Sequence, residues 1–183
     1  HRRHFEALGL PPERIFDGYD AVDNDAFAQH ANAARATGSA RALGLPERYF
    51  LNVGRFVPKK NLTTLLQAYA RFREASPEPV ALVLVGDGPE RDRLKAEAGR
   101  CGLVWCEGGN FAADAAEAAK AADAAEMAFA RDASRTAAAP VVYAMGFQQM
   151  AELPGFYAHA EAFVLPSTRE EWGLVVNEAM ACG

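Results

Sequence analysis

Short apolar runs alternate with helical periods from residue 49 to the end of the chain. The run Tyr49–Val53 predicts a buried strand that ends at Gly54, and residues 80–85 form a second, continuously apolar run. A continuous run is expected where helices cover both faces of a parallel sheet. Further strands are predicted over residues 141–145 and 162–165. Strands alternating with helices predict a Rossmann-like, doubly wound α/β fold with a parallel sheet.

The helices between these strands are predicted from apolar residues spaced three and four apart. Leucines and aromatic residues at positions 62, 65, 66, 69 and 72 predict one helix, for which Asn61 is the expected N-cap. A second helix should begin near Pro89, after the turn Gly86-Asp87-Gly88, and run to about residue 99. Two more are expected over residues 150–160 and 174–182.

Two segments interrupt this rhythm. Residues 1–48 predict a helix at the start, a turn at Pro11-Pro12 and a helix over 26–36, without the pattern of an independent domain. Residues 107–139 are rich in alanine, with charges at regular spacing, which predicts a solvated helical insert. Trp105 and Cys106 could alternatively be the end of a strand before the insert.

Composition narrows the class of protein. Of the 183 residues, 50% are hydrophobic and 23% are charged, which is typical of a globular protein with a real core. The net charge of -5 and the absence of a basic stripe argue against nucleic acid as a partner. No stretch approaches the ~18 to 20 apolar residues that span a bilayer, and no signal peptide is apparent. We therefore expect a cytoplasmic protein.

The three cysteines do not predict a disulfide framework or a metal site. Cys101 and Cys106 have no further His or Cys pair nearby that would complete a zinc site. Reduced structural thiols, including Cys182, are the expected state in the cytosol. We expect neither a metal nor another cofactor.

Two glutamates near the end of the chain are candidates for ligand binding. Glu170 follows a predicted strand, and Glu178 lies eight positions later within the next helix. Ligands of parallel α/β sheets bind beyond the carboxyl ends of the strands, and Glu178 could reach back to that crevice. Carboxylates suit the vicinal hydroxyls of a sugar. On spacing alone, glutamates placed in this way are more often ordinary solvated charges.

A basic loop follows the first strand. Arg55 and Lys60 lie between that strand and its helix, again at the carboxyl edge of the sheet. The guanidinium group of arginine can bind a phosphate through two hydrogen bonds, and lysine acts as a mobile point charge. Together with the free N–H groups of a helix that begins near Gly173, they could hold a diphosphate without a metal. A basic loop by itself is more often simply solvated.

Taken together, these residues resemble the donor-binding C-terminal domain of retaining GT-B glycosyltransferases of the group 1, or family 4, type. The landmarks are Gly54-Arg55, Lys60 and the pair Glu170 and Glu178 spaced as Glu-x7-Glu, in that order. The segments 84–89 and 163–167 are similar to two further landmarks. The resemblance covers residues 48–106 and 140–183, and Gly18 to Asp23 resembles the crossover between the two domains of these enzymes.

The resemblance implies a division of the chain. Residues 1–48 would be the end of an acceptor-binding domain and the crossover, and residues 49–183 the nucleotide-sugar domain, truncated at its C-terminus and carrying the insert at 107–139. Both ends lie within structured sequence, so we expect the chain to be a fragment of a longer protein that is inactive alone. The insert is longer than the family pattern predicts, and Trp172 stands where phenylalanine is usual.

The resemblance also implies roles for individual residues. Arg55 and Lys60, beside Gly54, would bind the donor diphosphate and neutralise the departing nucleotide. Glu178 would accept hydrogen bonds from the ribose hydroxyls. Glu170, the candidate catalytic residue, would bind hydroxyls of the transferred sugar and orient its anomeric carbon.

Other implied contacts are made largely by the backbone. Gly146 and Phe147 would border the nucleotide base, and the backbone at Gly173 and Leu174 would meet the phosphates. The implied reaction transfers a hexose from a UDP- or GDP-linked donor to a hydroxyl with retention. Positive charge and a helix dipole would replace a metal at the leaving group. The acceptor, whether glycan, lipid or small molecule, is not specified, and the acceptor domain could contact a membrane surface.

Other functions remain as alternatives. A nucleotide-sugar epimerase or hydrolase shares the fold, and a non-catalytic interaction module could retain a vestigial site. Gly86 and Gly88 weakly suggest a dinucleotide fingerprint, but Arg91 stands where its third glycine belongs. Phe156 and Tyr157 are expected to face the core.

Overall fold

The computed structural model describes residues 2–15, 21–76, 78–108 and 140–183. Their centre is a five-stranded parallel sheet in the order β3-β4-β2-β1-β5. The strands are β1 (Tyr49–Val53), β2 (Ala81–Val85), β3 (Val104–Glu107), β4 (Val141–Ala144) and β5 (Ala162–Phe163). The predicted α/β class and parallel sheet are therefore confirmed.

Helices precede the sheet and alternate with its strands. They are α1 (Arg2–Ala7), α2 (Asn24–Thr37), α3 (Ser39–Ala42), α4 (Leu62–Ala75), α5 (Arg91–Arg100), α6 (Leu153–His159) and α7 (Leu174–Cys182), with short 3-10 turns at Pro12–Arg14 and Pro58–Lys60. No helix among these described residues is both long and apolar enough to cross a membrane.

Alternate residues of the strands supply two separate cores. Tyr49, Leu51 and Val53 of β1 pack on one face of the sheet with residues of α2, α6 and α7. On the opposite face, Leu82 and Leu84 of β2 pack with residues of α4 and α5. This division follows from the period of two in a strand, which sends successive side chains to opposite faces. The continuous apolar runs in the sequence thus reflect a sheet that is covered on both faces.

Helix α2 belongs to the first of these cores. Phe27 and Ala31 on its inner face are buried among residues of α6 and α7. The Asp23 side chain caps its first turn by accepting a hydrogen bond from the backbone N–H of Ala26 at 3.0 Å. At the other end, Gly38 adopts a left-handed conformation. The predicted division of the chain at residue 48 stays a prediction.

The observed elements refine several predictions. Strand β1 and helix α7 have the predicted bounds, and Trp105 and Cys106 do form part of a strand, β3. Strand β5 is shorter than predicted, although the N–H of Val164 still donates to the carbonyl of Leu51 at 2.8 Å. The predicted alanine-rich helix falls largely on residues 109–139, outside the described part of the chain.

Asn61 is the N-cap residue of α4, as predicted, and adopts a left-handed conformation, but its side chain does not bond to a backbone N–H of the helix. Its Nδ2 instead donates to the carbonyl of Pro166 at 3.2 Å, and its Oδ1 accepts from the Thr64 hydroxyl. The side chain therefore ties the loop after β1 to the loop after β5, a contact between distant segments that local spacing cannot reveal.

Candidate functional site

A cleft opens at the carboxyl end of the sheet, between the loop after β1 and the loop after β5. Its volume is about 580 Å³. These loops are adjacent because β1 and β5 are paired neighbours in the sheet. A backbone hydrogen bond from Thr168 to the carbonyl of Lys59, at 2.9 Å, fixes one loop against the other. The lining residues are Arg55, Val57, Pro58, Lys59, Lys60, Glu170 and Glu171.

Two lysine–glutamate pairs bridge this cleft. Lys60 Nζ lies 2.5 Å from Glu170 Oε1, and Lys59 Nζ lies 2.5 Å from Glu171 Oε2. The side chains of the inner pair, Lys60 and Glu170, are only 14% and 24% exposed, against 42% and 55% for the outer pair. The inner pair is therefore the less screened by solvent.

The lysines change the acidity of both carboxyl groups. Burial works to raise the pKa of Glu170, but the hydrogen bond and positive charge of Lys60 outweigh it and hold the pKa below its ordinary value. The hydrogen bond from Lys59 lowers the pKa of Glu171. Both carboxylates are therefore charged at neutral pH and can accept hydrogen bonds from hydroxyl groups.

Arg55 supplies a further positive charge at the same edge. Its side chain is exposed, and it forms none of the salt bridges found among the described residues. The next residue, Phe56, is fully buried, and its N–H donates to the carbonyl of Asp87 at 2.9 Å. The buried neighbour fixes the backbone from which Arg55 projects, so the guanidinium remains available to an anion.

Glycines at the ends of three neighbouring strands allow the loops of this edge to approach closely. Gly54 follows β1, Gly86 follows β2, and Gly146 lies two residues beyond β4. The N–H of Gly86 donates to the carbonyl of Gly146 at 2.7 Å. A Cβ atom on Gly86 would lie 2.0 Å from the carbonyl oxygen of Gly54, so no larger residue fits.

The local sequence pattern does not reveal this steric role of Gly86, which it presents as part of a turn, a family landmark and a weak dinucleotide signal. The sequence signal for the close packing is the recurrence of glycine at the ends of three strands, at Gly54, Gly86 and Gly146.

Glu178 occupies a different environment from Glu170. Its side chain is buried, and its Oε2 accepts a hydrogen bond from the Tyr157 hydroxyl at 2.8 Å. Together with Leu174, Met150 and Pro154 it lines a second cavity of about 390 Å³, to which the start of α2 also contributes.

Glu170 and Glu178 line different cavities, and their binding of one ligand stays a prediction. Glu170 lies in the loop before α7, whereas Glu178 lies within that helix, where its side chain meets Tyr157 of α6. Phe156 and Tyr157 are buried in the core, as predicted. The hydrogen bond from Tyr157 to Glu178 was not predicted.

The remaining candidate residues lie at the same end of the sheet. Gly146 and Phe147 follow β4, and the Phe147 side chain is 73% exposed. Gly173 is left-handed and stands at the N-cap of α7, where its carbonyl accepts from the N–H of Val176 at 2.8 Å. Leu174 begins α7 and lines the second cavity. Their contacts with a ligand stay predictions.

Metal-binding potential can be judged only for the described part of the chain. There, no group of three or more His, Cys, Asp or Glu side chains could hold a metal ion. The three cysteines are free thiols, and Cys106 and Cys182 are buried. The expectation of a site without a metal stays a prediction.

Comparison with known proteins identifies the family. Residues 39–124 and 133–183 match the family described as glycosyl transferases group 1. The chain is 31% identical over 185 residues to a D-inositol 3-phosphate glycosyltransferase of Thermobispora bispora, an alignment that covers 100% of this chain and 36% of that protein.

Solved structures share the fold. A UDP-forming α,α-trehalose-phosphate synthase from Burkholderia xenovorans, solved with glucose-6-phosphate, aligns with a TM-score of 0.60 and 17% identity over 88% of this chain and 33% of that one. Anabaena Alr3699/HepE, solved with UDP, aligns with a TM-score of 0.51 and 20% identity over 99% and 40% of the two chains.

The fold is that of a Rossmann-like α/β domain of GT-B type. This chain belongs to the group 1 glycosyltransferases. It spans 36% of the length of the inositol-phosphate enzyme, and 33% and 40% of the two solved chains.

Proposed function

We propose that this chain binds the donor of a hexosyltransferase that uses a nucleotide-diphosphate sugar. The observation that carries the proposal is the meeting of Arg55, Lys60 and Glu170 in one cleft at the carboxyl edge of the sheet. Family membership adds support, as does the UDP bound by a protein of similar fold. We infer that acceptor selection, and catalysis as a whole, require a further acceptor-binding domain.

The diphosphate would bind between the basic loop and the start of α7. Arg55 offers a planar guanidinium that can grip a phosphate through two hydrogen bonds. Lys60 lines the same cleft, where its ammonium group offers a positive charge beside Glu170. The N-terminus of α7 presents unpaired N–H groups and a positive dipole end. These charges would stabilise the departing nucleotide diphosphate without a metal.

Each glutamate would bind a different sugar of the donor. Glu170, in the cleft of the basic loop, would bind hydroxyls of the transferred hexose and orient its anomeric carbon. Glu178, in the second cavity, would accept hydrogen bonds from the ribose. The exposed Phe147 ring would border the nucleotide base. The resemblance of Glu170 and Glu178 to the paired glutamates of retaining group 1 enzymes supports transfer with retention at the anomeric carbon.

Calorimetric titration of the natural full-length protein tests the proposal. UDP and GDP, added with EDTA present, should give a measurable affinity for one nucleotide, and the matching monophosphate should bind about tenfold more weakly. Lys60→Ala should weaken diphosphate binding by a similar factor. Lys95→Ala is the matched control, because Lys95 is exposed and pairs with Glu107 outside the cleft.

Two results would contradict the proposal. Equal affinity for the monophosphate and the diphosphate would exclude the basic loop as a diphosphate site, and binding that appears only with divalent metal would exclude a metal-free leaving-group site. A product assay separates transfer from hydrolysis or epimerisation, since those reactions release nucleotide from the donor without an acceptor.

A further inference from the structure

Helices α6 and α7 are joined by a buried hydrogen bond between side chains. The Tyr157 hydroxyl of α6 donates to Oε2 of Glu178 at 2.8 Å. Tyr157 is 5% exposed and Glu178 is 7% exposed, so water scarcely competes for this bond. A hydrogen bond to a carboxylate is stronger than one between neutral groups, and more so where water is excluded.

Tyr157 can act only as the donor in this pair. Burial, and after it the negative charge of Glu178, raise the pKa of the Tyr157 phenol. The phenol therefore keeps its proton throughout the physiological range, and Oε2 has a constant partner. A carboxylate held at one oxygen loses rotation about its last bond, which fixes the direction of the other oxygen.

The other oxygen of Glu178 differs from Oε2, because no hydrogen bond to Oε1 is found among the residues that the structure describes. Glu178 also lines the cavity of about 390 Å³ between α6, α7 and the start of α2. The carboxylate is thus anchored to α6 through Oε2, and its side chain, which lines the cavity, keeps acceptor capacity at Oε1.

We propose that Tyr157 is a positioning residue that holds Glu178 so that Oε1 can accept hydrogen bonds from the ribose of the bound nucleotide. The inference rests on the proposed function of Glu178. Without the phenol, the carboxylate would have to find water or rotate towards the core. It would then bind the ribose hydroxyls less selectively, although the diphosphate site at Arg55 and Lys60 would be unchanged.

If Tyr157 only stabilised the fold, its loss would lower stability without a specific effect on ribose binding. Tyr49 is the matched control that separates the two roles. The Tyr49 hydroxyl is buried in the same core and donates at 2.7 Å to the carbonyl of Phe156, the residue next to Tyr157. Each of the substitutions Tyr49→Phe and Tyr157→Phe removes one buried hydroxyl group that donates a hydrogen bond. The Tyr49 hydroxyl donates to the backbone of α6, and the Tyr157 hydroxyl, on α6, donates to α7. Both should lower the melting temperature, but only Tyr157→Phe removes a bond to Glu178.

The experiment measures recognition of the ribose in the natural full-length protein. UDP, GDP and their 2′-deoxy and 3′-deoxy forms are titrated by calorimetry into the wild type, Tyr157→Phe, Tyr49→Phe, Glu178→Gln and the double variant of Tyr157 and Glu178. The wild type should prefer the ribose form by about tenfold or more. Tyr157→Phe should reduce that preference by about fivefold, and Tyr49→Phe should leave it unchanged.

The ribose preference of the double variant shows whether Tyr157 acts through Glu178. If Tyr157 acts through Glu178, the double variant should discriminate ribose no worse than Glu178→Gln alone. Should Tyr157→Phe fail to fold, replacement of Tyr157 with 4-methylphenylalanine keeps the ring and fills the space of the hydroxyl but donates no hydrogen bond to Glu178. A reduced ribose preference in that protein supports the inference, and an unchanged one overturns it.

The results also separate this inference from the proposed function. If Glu178→Gln loses ribose preference while Tyr157→Phe keeps it, Tyr157 is only structural, and the role of Glu178 stands. If Glu178→Gln binds every nucleotide as the wild type does, Glu178 does not recognise ribose, and both ideas are overturned. Equal loss of preference in Tyr49→Phe and Tyr157→Phe would show a general effect of instability and would overturn the positioning role.

Discussion

Lys60 Nζ lies 2.5 Å from Glu170 Oε1, although the two residues are 110 positions apart in the chain. The pair joins the loop after β1 to the loop after β5, at the point where a donor diphosphate is proposed to bind. Any anion that enters this cleft must share Lys60 with a carboxylate. Glu170 therefore has two opposite electrostatic effects, attracting hydroxyl groups of a sugar and weakening the attraction of Lys60 for phosphate.

Replacing Glu170 with glutamine should separate these effects. Glu170→Gln should bind UDP, or GDP if that is the nucleotide, about two- to fivefold more tightly, because a negative charge near the diphosphate is removed. The extra affinity of the nucleotide sugar over the free nucleotide should fall, since the hexose loses its charged acceptor. Calorimetric titration of nucleotide and nucleotide sugar measures both changes.

Glu171→Gln provides the comparison. Glu171 pairs with Lys59 at the same distance, but its side chain is 55% exposed, so its removal should change the affinities less. If Glu170→Gln instead weakened binding of the free nucleotide tenfold or more, then the proposed competition for Lys60 would be wrong.

The same pair predicts how stability depends on acid. Lys60 holds the pKa of Glu170 below its ordinary value of 4.5, so the unfolded chain takes up this proton more readily than the folded one. The stabilisation is fully present above that value and is lost as the pH falls through the pKa of the folded state. Melting temperatures measured between about pH 7 and about pH 3 should therefore fall less steeply in Glu170→Gln than in the wild type.

An exposed carboxylate serves as the control for the acid series. Glu47 is exposed and forms no salt bridge within the described part of the chain. Glu47→Gln should keep the slope of the wild type. A slope in Glu170→Gln as steep as that of the wild type would show that the ion pair does not contribute to stability.

Gly86 should be one of the least replaceable residues at this edge of the sheet. Its φ is 135°, and an added Cβ would lie 2.0 Å from the carbonyl oxygen of Gly54. Gly86→Ala should therefore lower the free energy of unfolding by more than about 3 kcal/mol, or prevent folding altogether. Chemical denaturation followed by circular dichroism measures the change.

Gly99 is the matched control for this substitution. It lies exposed within α5, and nothing lies within 4 Å of an added Cβ. Gly99→Ala should stabilise the protein by up to about 1 kcal/mol, because alanine is the better helix former. Equal small effects of the two substitutions would contradict the close approach of the two loops.

Arg35 should stabilise the packing of α2 against the ends of two other helices. Its guanidinium donates to the carbonyl of Ala158 near the end of α6, at 3.0 Å, and to the carbonyl of Cys182 at the end of α7, at 2.6 Å. A cation at a helix C-terminus also interacts favourably with the helix dipole. Arg35→Met should therefore destabilise the protein by about 1 to 3 kcal/mol.

Arg71→Met provides the control for Arg35. Arg71 is exposed on α4, and no salt bridge to it is found within the described ranges. Its replacement should change the free energy of unfolding by less than about 0.5 kcal/mol. Urea denaturation measures the free energy of unfolding of both variants. An equally small loss of free energy in both would show that the hydrogen bonds of the Arg35 guanidinium do not contribute to stability.

The order and type of the elements could largely be predicted from the sequence. The strand Tyr49–Val53 and the helix Leu174–Cys182 were predicted with their observed bounds because both lie between strong local signals. Gly54 directly follows the strand, and Gly173 directly precedes the helix. Local signals failed at Asn61, where the preference for an N-cap position was correct, but the side chain bonds to Pro166 of another loop.

The sequence by itself determined the α/β class, the family and the residue types available to a site. Hydrophobic periodicity and secondary-structure preferences depend on residues a few positions apart, so they can be recognised in the sequence alone. Only the tertiary structure decided which of those residues meet. The pairing of β5 with β1 brings Glu170 to Lys60, and the packing of α6 on α7 brings Tyr157 to Glu178. Such contacts depend on strand order and helix orientation, which no local pattern specifies.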